Sequence, residues 1–410
     1  MFGAFPQDEI YALGTILLVA AIVAMLTRRL HLPYTAGLVA VGLLLAVAGV
    51  VPHVRLTPNL ILLVLLPPLV FEAAVNIPWH DFRKDLPVIV SLAVGGVAVT
   101  AASVAAGMYY IIGWQWQPAL LFGMLIAATD PVSVIATFRE HDTEKRLKLL
   151  VESESLLNDG IAATGFSVCA AIVAGEHAGP GSISIQLLWT TGGGILCGLG
   201  VSVVCLLIAG RTTDHLIEIT LTTIAAYGSY MLADHFGMSG ILAALTAGLV
   251  VGNRGPERAL SEFGRDAVHS FWEYAAFLAN SVIFLLIGAR EATLPILVLA
   301  GATAVATGLT LLGRAAAVYP VTLLFNRTAL AVKPAYRHVL VWGGLRGALA
   351  LALALSLDDS VPQRGAVISV AFAVVAISIF VQGCTMAPLL KHLHLLRGGE
   401  GEAQDNGTES

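Results

Sequence analysis

The chemistry of this chain is concentrated in residues 152–160, which read Glu-Ser-Glu-Ser-Leu-Leu-Asn-Asp-Gly. At about 100° per residue, Glu154 and Asn158 share one face of a helix, and Ser155 and Asp159 share another about 100° around. One helix then offers a carboxylate and a hydroxyl to an ion, and a second carboxylate and an amide to a neighbouring helix. Oxygen donors of this kind suit hard cations. The competing reading is a polar cytoplasmic loop from Glu140 to Asp159. Leu149, Leu150, Leu156 and Leu157 keep helical apolar spacing and argue against it.

Two other segments carry charge inside apolar sequence. Residues 127–133 read Ala-Ala-Thr-Asp-Pro-Val-Ser. Pro131 has no N–H, so the carbonyl of Ala127 loses its helical partner and Asp130 is pushed away from α geometry. A proline kink accounts for the Pro but not for the Asp, whereas a break beside a carboxylate supplies backbone carbonyls next to it. Residues 342–348 read Trp-Gly-Gly-Leu-Arg-Gly-Ala, where three glycines permit close approach or unwinding. Arginine stays protonated essentially everywhere, so Arg346 needs a partner. Glu154, turned away from Asp159, is the candidate, and a structural Glu154–Arg346 ion pair is expected. Glu72, near the inner end of a third helix, has two readings: it lines an inward funnel or senses pH, or it snorkels to the interface.

The elements that position these residues follow from composition. Of 410 residues 57% are hydrophobic and 12% charged, with a mean hydropathy of +0.84. Soluble chains carry about a quarter charged residues, so the bilayer is the solvent for much of this one. No basic patch points to nucleic acid, and the net charge is −5. Cys169, Cys197, Cys205 and Cys384 lie in apolar segments without a CxxC pair and read as packing residues. Phe2 to Glu9 carries acids rather than a basic region, so the first apolar run is expected to stay in the membrane.

A span needs about 20 mostly apolar residues. Such stretches fall near 9–27, 34–51, 58–77, 86–112, 117–138, 147–174, 184–209, 215–235, 239–252, 270–290, 293–324, 337–357 and 365–390. The fold expected is an all-α polytopic membrane protein of about thirteen transmembrane helices. With the N-terminus outside, 17 of the 22 basic residues fall in inner loops. Only Arg55, Arg290 and Arg364 fall in outer ones, which is the bias an inner-membrane topology requires. Arg314 and Arg346 lie within spans. Residues 398–410 are polar and Gly-rich and are expected to form a disordered cytoplasmic tail.

At about 1.5 Å per residue, Asp130, Asp159 and Arg346 lie roughly 20, 18 and 14 Å from the starts of their spans. Against a core of about 30 Å, all three converge on the midplane. Ionisable groups there are costly and mark function by default. The two broken spans, near 129–131 and 343–347, are seven spans apart. An odd offset gives opposite orientation, the arrangement of inverted repeats with crossed discontinuous helices.

Together, Leu66-Pro-Pro, Phe71-Glu-Ala, Ala128-Thr-Asp-Pro-Val132, Glu152 through Asp159, Phe284-Leu-Leu-Ile-Gly288 and Gly343-Gly-Leu-Arg-Gly-Ala348 resemble the sodium/proton exchangers of the monovalent cation–proton antiporter family, NhaP-type branch, over essentially the whole chain. The resemblance implies a homodimer and a six-helix core domain moving between inward- and outward-open states. Seven helices, one more than that six, are assigned to the core, near 58–77, 86–112, 117–138, 147–174, 293–324, 337–357 and 365–390, within one transporter unit over 1–397, and the remainder to dimerisation. It further implies Na⁺ ligands at Asp159, Asp130, Ser155 and the Thr129 carbonyl, with Glu72 contributing, Asn158 supporting the site and Glu154 pairing with Arg346. No cofactor is expected beyond Na⁺ and H⁺ as substrates.

Burial favours a neutral carboxyl group and a nearby cation favours a carboxylate, so cation and proton are expected to compete for Asp159. Residue 158 is Asn rather than a second Asp, which favours electroneutral one-for-one exchange, although Asp130 complicates that count. The same donors fit Li⁺ or K⁺. A cation channel is the rival outside the transporter class. An enzyme is not expected: Gly237-Met-Ser-Gly240 resembles an intramembrane protease motif, but it opens a short helix with turn chemistry, and His235 is too near in sequence to act from another helix.

Overall fold

A computed structural model describes residues 7–30, 32–49, 56–140, 143–175, 179–291 and 299–396. The predicted helix start at 293, the tail 398–410, and Arg55 and Arg397 of the basic-residue count lie outside these residues.

The described chain is helical: α1 (Gln7–Leu30), α2 (Tyr34–Val47), α3 (Leu60–Val75), α4 (Trp79–Tyr110), α5 (Trp116–Ala127), α6 (Val132–Glu140), α7 (Lys145–Val173), α8 (Pro180–Ala209), α9 (His215–His235), α10 (Gly240–Arg258), α11 (Glu262–Glu291), α12 (Ala300–Leu324), α13 (Pro334–Trp342), α14 (Ala348–Leu355) and α15 (Arg364–His392). By length and composition, 7 of these helices suffice to cross a membrane: α4, α7, α8, α9, α11, α12 and α15. Shorter apolar helices are α2, α3, α5 and α10. The predicted spans 117–138 and 337–357 are the ones split in two, into α5 and α6 and into α13 and α14. α4 starts at Trp79 rather than near 86, because its polar first turns, invisible to a hydropathy reading, carry a buried Asp85 held by Arg146 at 2.8 Å.

The helices pack as two groups. In one, α4 lies against α5, α7 and α12, with α13, α14 and α15 completing the bundle. In the other, α2 packs on α11, α8 on α10, and α1 on α2. α3 belongs by packing to this second group, seated mainly on α10 and α11. That corrects the assignment of the helix near 58–77 to the core. The physical reason is a glycine: a Cβ at Gly252 of α10 would lie 2.1 Å from the Val75 carbonyl oxygen, so the two backbones meet at a distance only glycine allows.

Candidate functional site

The two broken helices cross at their breaks. The Asp130 N–H donates to the Leu345 carbonyl at 2.8 Å, a single antiparallel bridge between the two extended segments. The Asp130 carboxylate accepts from the N–H of Val132 at 2.9 Å and from that of Ala348. These residues open α6 and α14, so one carboxylate serves two helix N-termini, where negative charge is favoured. Arg346 does the reverse: its Nη1 donates to the carbonyls of Ala127 and Ala128, both at 2.9 Å, at the C-terminal end of α5. The Ala127 carbonyl, expected to be left unpaired by Pro131, is thus taken by the arginine of the other repeat. The Arg346 N–H donates to Ser378 Oγ at 3.1 Å, and Gln382 Nε2 donates to the Trp342 carbonyl at 2.8 Å, both from a π-helical stretch of α15, Ser378–Gly383. Protein groups therefore satisfy the interrupted backbone, the condition on which a break is tolerated in a bilayer.

Glu154 does not pair with Arg346. Its carboxylate receives both terminal nitrogens of Arg314 on α12, at 2.7 and 2.6 Å, in a pair almost wholly buried. Arg314 Nε also donates to the Leu340 carbonyl at 3.1 Å. The reason for the correction is directional. Arg346 sits in an extended segment facing the end of α5, whereas Arg314 projects from a continuous helix across Gly96 of α4. A Cβ at Gly96 would lie 3.1 Å from Arg314 Nη1. Sequence reasoning missed this partner because a span begun at 293 puts Arg314 roughly 31 Å down, at the inner face. The described helix starts at Ala300 with Leu299 as its N-cap, which returns Arg314 to roughly 21 Å.

Asp130 and Asp159 line one cavity of about 60 Å³, together with Thr129, Leu156 and Gly347 and an apolar wall from α3 (Leu66, Leu69, Val70, Ala73). That volume holds a small ion with a water or two. Ser155 Oγ donates to the Thr129 carbonyl at 2.5 Å and lies 3.1 Å from Thr129 Oγ1, so these two buried residues tie α7 to the break. Asn158 is fully buried on the other side, its Nδ2 3.4 Å from Glu154 Oε1 and its Oδ1 without a hydrogen-bond partner among the described residues. Of the residues expected to form the ion site, Asp159, Asp130 and Thr129 border the cavity and Ser155 contacts Thr129. Glu72 does not border it: its carboxylate is held by Arg139 at 3.2 Å and Asn76 at 3.0 Å. A larger hollow of about 1060 Å³ between α8 and α9 is lined by Trp189, Leu196, Leu221 and other uncharged residues, so it offers nothing to an ion.

Gly347 is required by this geometry, since a Cβ there would lie 2.0 Å from Asp130 Oδ2. Gly347→Ala is expected to displace the Asp130 carboxylate and to lower stability by about 1–3 kcal/mol. Thermal melting in detergent measures this, and an unchanged melting temperature would refute it.

An all-helical membrane protein whose discontinuous helices cross around paired carboxylates has the architecture of a secondary transporter. A sequence model described as the transmembrane sodium/hydrogen exchanger matches residues 15–392, and the chain belongs to that family. It is 38% identical over 369 residues to the Na⁺/H⁺ antiporter ApNhaP of Aphanothece halophytica, covering 89% of this chain and 70% of that protein. It is 32% identical over 339 residues to the Na⁺/H⁺ antiporter NhaP of Pseudomonas aeruginosa, covering 80% of each. Among solved structures, the sodium proton antiporter MjNhaP1 of Methanocaldococcus jannaschii at pH 8 superimposes with a TM-score of 0.76 at 20% identity, covering 94% of this chain and 99% of that one. The likeness supports the fold.

Proposed function

We propose that the chain exchanges Na⁺ for H⁺ by alternating access, one cation against one proton, with both competing for Asp159. The observation that carries this reading is the small cavity shared by Asp130 and Asp159 where the broken helices cross. The relatives named as Na⁺/H⁺ antiporters support the substrate pair.

In this mechanism Asp159 holds the ion. Asp130 is spent mainly on two helix N-termini and shapes the site. The Thr129 carbonyl and Ser155 hydroxyl exchange their mutual bond for contact with the cation. Arg346 and the Glu154–Arg314 pair are already committed to protein groups, so the charge left to vary is that of the cavity carboxylates. Only a neutralised site, loaded with proton or cation, crosses an apolar barrier cheaply. The bundle of α4–α7 and α12–α15 moves as the core, against α1–α3 and α8–α11, which carry the homodimer contact. Thirteen crossings with the N-terminus outside and the C-terminus in the cytoplasm complete the proposal, in the inner membrane. A cavity of about 60 Å³ walled by Leu66, Leu69 and Val70 favours one ion at a time over a conducting channel. K⁺ in place of Na⁺ is the second reading, since the same oxygens serve it.

Proteoliposomes with clamped voltage test this. A Na⁺ gradient is expected to drive proton flux at a rate independent of membrane potential, and a K⁺ gradient is expected to drive far less. Flux that tracks potential would reject one-for-one exchange, and cation conductance without a proton gradient would reject exchange altogether.

A further inference from the structure

Glu152 lies on the same face of α7 as Asp159, two helical turns and roughly 10 Å closer to the Lys145 end. Leu156 stands between them and borders the Asp159 cavity. Glu152 is only 5% exposed. Among the described residues no hydrogen bond or ion pair reaches its carboxylate. The charged groups that face it are Lys148 on its own helix, Glu72 from α3 and Arg139 from α6. Two of these are already committed to each other, since Arg139 holds Glu72 at 3.2 Å and also reaches Glu273 of α11 at 3.8 Å. Among the described residues, Glu152 is therefore the member of this charged group without a hydrogen-bond or ion-pair partner.

Burying a carboxylate that no cation pairs directly is costly. A fold that merely needed to fill this position would gain by an apolar or amide side chain of the same size. The position also matters: Glu152 faces Arg139, whose side chain is 44% exposed and marks the mouth of a vestibule, on one side and is separated from the ion cavity by a single leucine on the other. We propose that Glu152 is a second station for the transported ions, a carboxylate that takes a partly dehydrated monovalent cation, or a proton, from the vestibule and passes it beyond Leu156 to Asp159. When a proton moves, it leaves one carboxyl oxygen and arrives on the other through water, so Glu152 becomes the anion as Asp159 becomes neutral. The cation occupies Glu152 as its counter-charge and leaves it free again. This rests on the reading of Asp159 as the exchange site, and in the proposed orientation the vestibule is cytoplasmic.

The test is sided. Na⁺-driven proton flux is measured in inside-out and right-side-out vesicles for the wild type, Glu152→Gln, Glu152→Asp, Lys148→Gln and Asp159→Asn. Glu152→Gln is expected to raise KM for Na⁺ at least about five-fold at the Lys145 face, about 1 kcal/mol at 1.4 kcal/mol per factor of ten. KM at the opposite face is expected to change much less, and Glu152→Asp is expected to recover most of the loss. Lys148→Gln, which removes a competing cation, is expected to lower KM at the same face. An unchanged KM there for Glu152→Gln, or an equal rise at both faces, overturns the proposal. Should Glu152→Gln accumulate poorly, an unchanged or raised KM in Lys148→Gln overturns it instead. If the wild type exchanges and Asp159→Asn does not, a negative result removes Glu152 alone. If Asp159→Asn still exchanges, the reading of Asp159 itself fails.

Discussion

Asp159→Asn is expected to abolish Na⁺-driven proton flux at every pH and every cation concentration, while the variant folds and inserts normally. Asn keeps the shape of Asp but cannot ionise, so it neither binds a proton reversibly nor balances a cation. A unit charge about 4 Å from a cation is worth about 4 kcal/mol at an effective dielectric constant of 20. At 1.4 kcal/mol per factor of ten, cation affinity falls by roughly a thousand-fold, below the range of a flux assay. Asp130→Asn is the informative contrast. Its oxygen still accepts from a helix N-terminus, but the charge beside two helix ends is lost, so it combines weakened transport with lowered thermal stability. Flux in proteoliposomes read beside thermal melting separates the two roles. Residual exchange in Asp159→Asn above one hundredth of wild type would move the ion site elsewhere.

Arg314→Gln is expected to destabilise the protein by about 3–5 kcal/mol, the cost of leaving a buried carboxylate uncompensated. Glu154 receives two bonds from Arg314 and one long contact from Asn158, so removing the guanidinium leaves it nearly alone. Loss of folded protein on size exclusion in detergent is the measurement. The double variant Glu154→Gln/Arg314→Gln is expected to recover most of that loss, because no charge then remains buried unpaired. If the double variant is no better than Arg314→Gln alone, the pair is not what makes Arg314 necessary. Combining Glu154→Gln with Arg346→Gln is expected to bring no comparable recovery, since Arg346 mainly supports the carbonyls that end α5.

That contrast marks where sequence reading stopped. Asp130 beside Pro131 and Arg346 among glycines announced two breaks, and both lie where those residues predicted, because a missing N–H and missing side chains act locally. The seven-span offset predicted that the broken helices would run oppositely and cross, and they do, through one antiparallel bridge between Asp130 and Leu345. The partner of Glu154 was not legible. Helical periodicity shows which face a carboxylate occupies, but which of two buried arginines reaches that face depends on where another helix starts and how far Gly96 lets it approach. The same holds for Glu72: its helix and depth were readable, but not its capture by Arg139.

The sequence alone determined that the chain lives in a bilayer, that two of its helices are interrupted, and that a few costly charges lie within apolar segments. Those properties follow from composition, from proline and glycine, and from the fixed rise of a helix, none of which needs the rest of the fold. Tertiary structure alone decided the pairings: Arg314 with Glu154, Arg346 with the end of α5, Asp130 with two helix N-termini, and α3 with the second group of helices. Pairing is a matter of ångströms between distant segments, and it is settled by close packing at glycines and by the requirement that every interrupted backbone group in lipid find a partner.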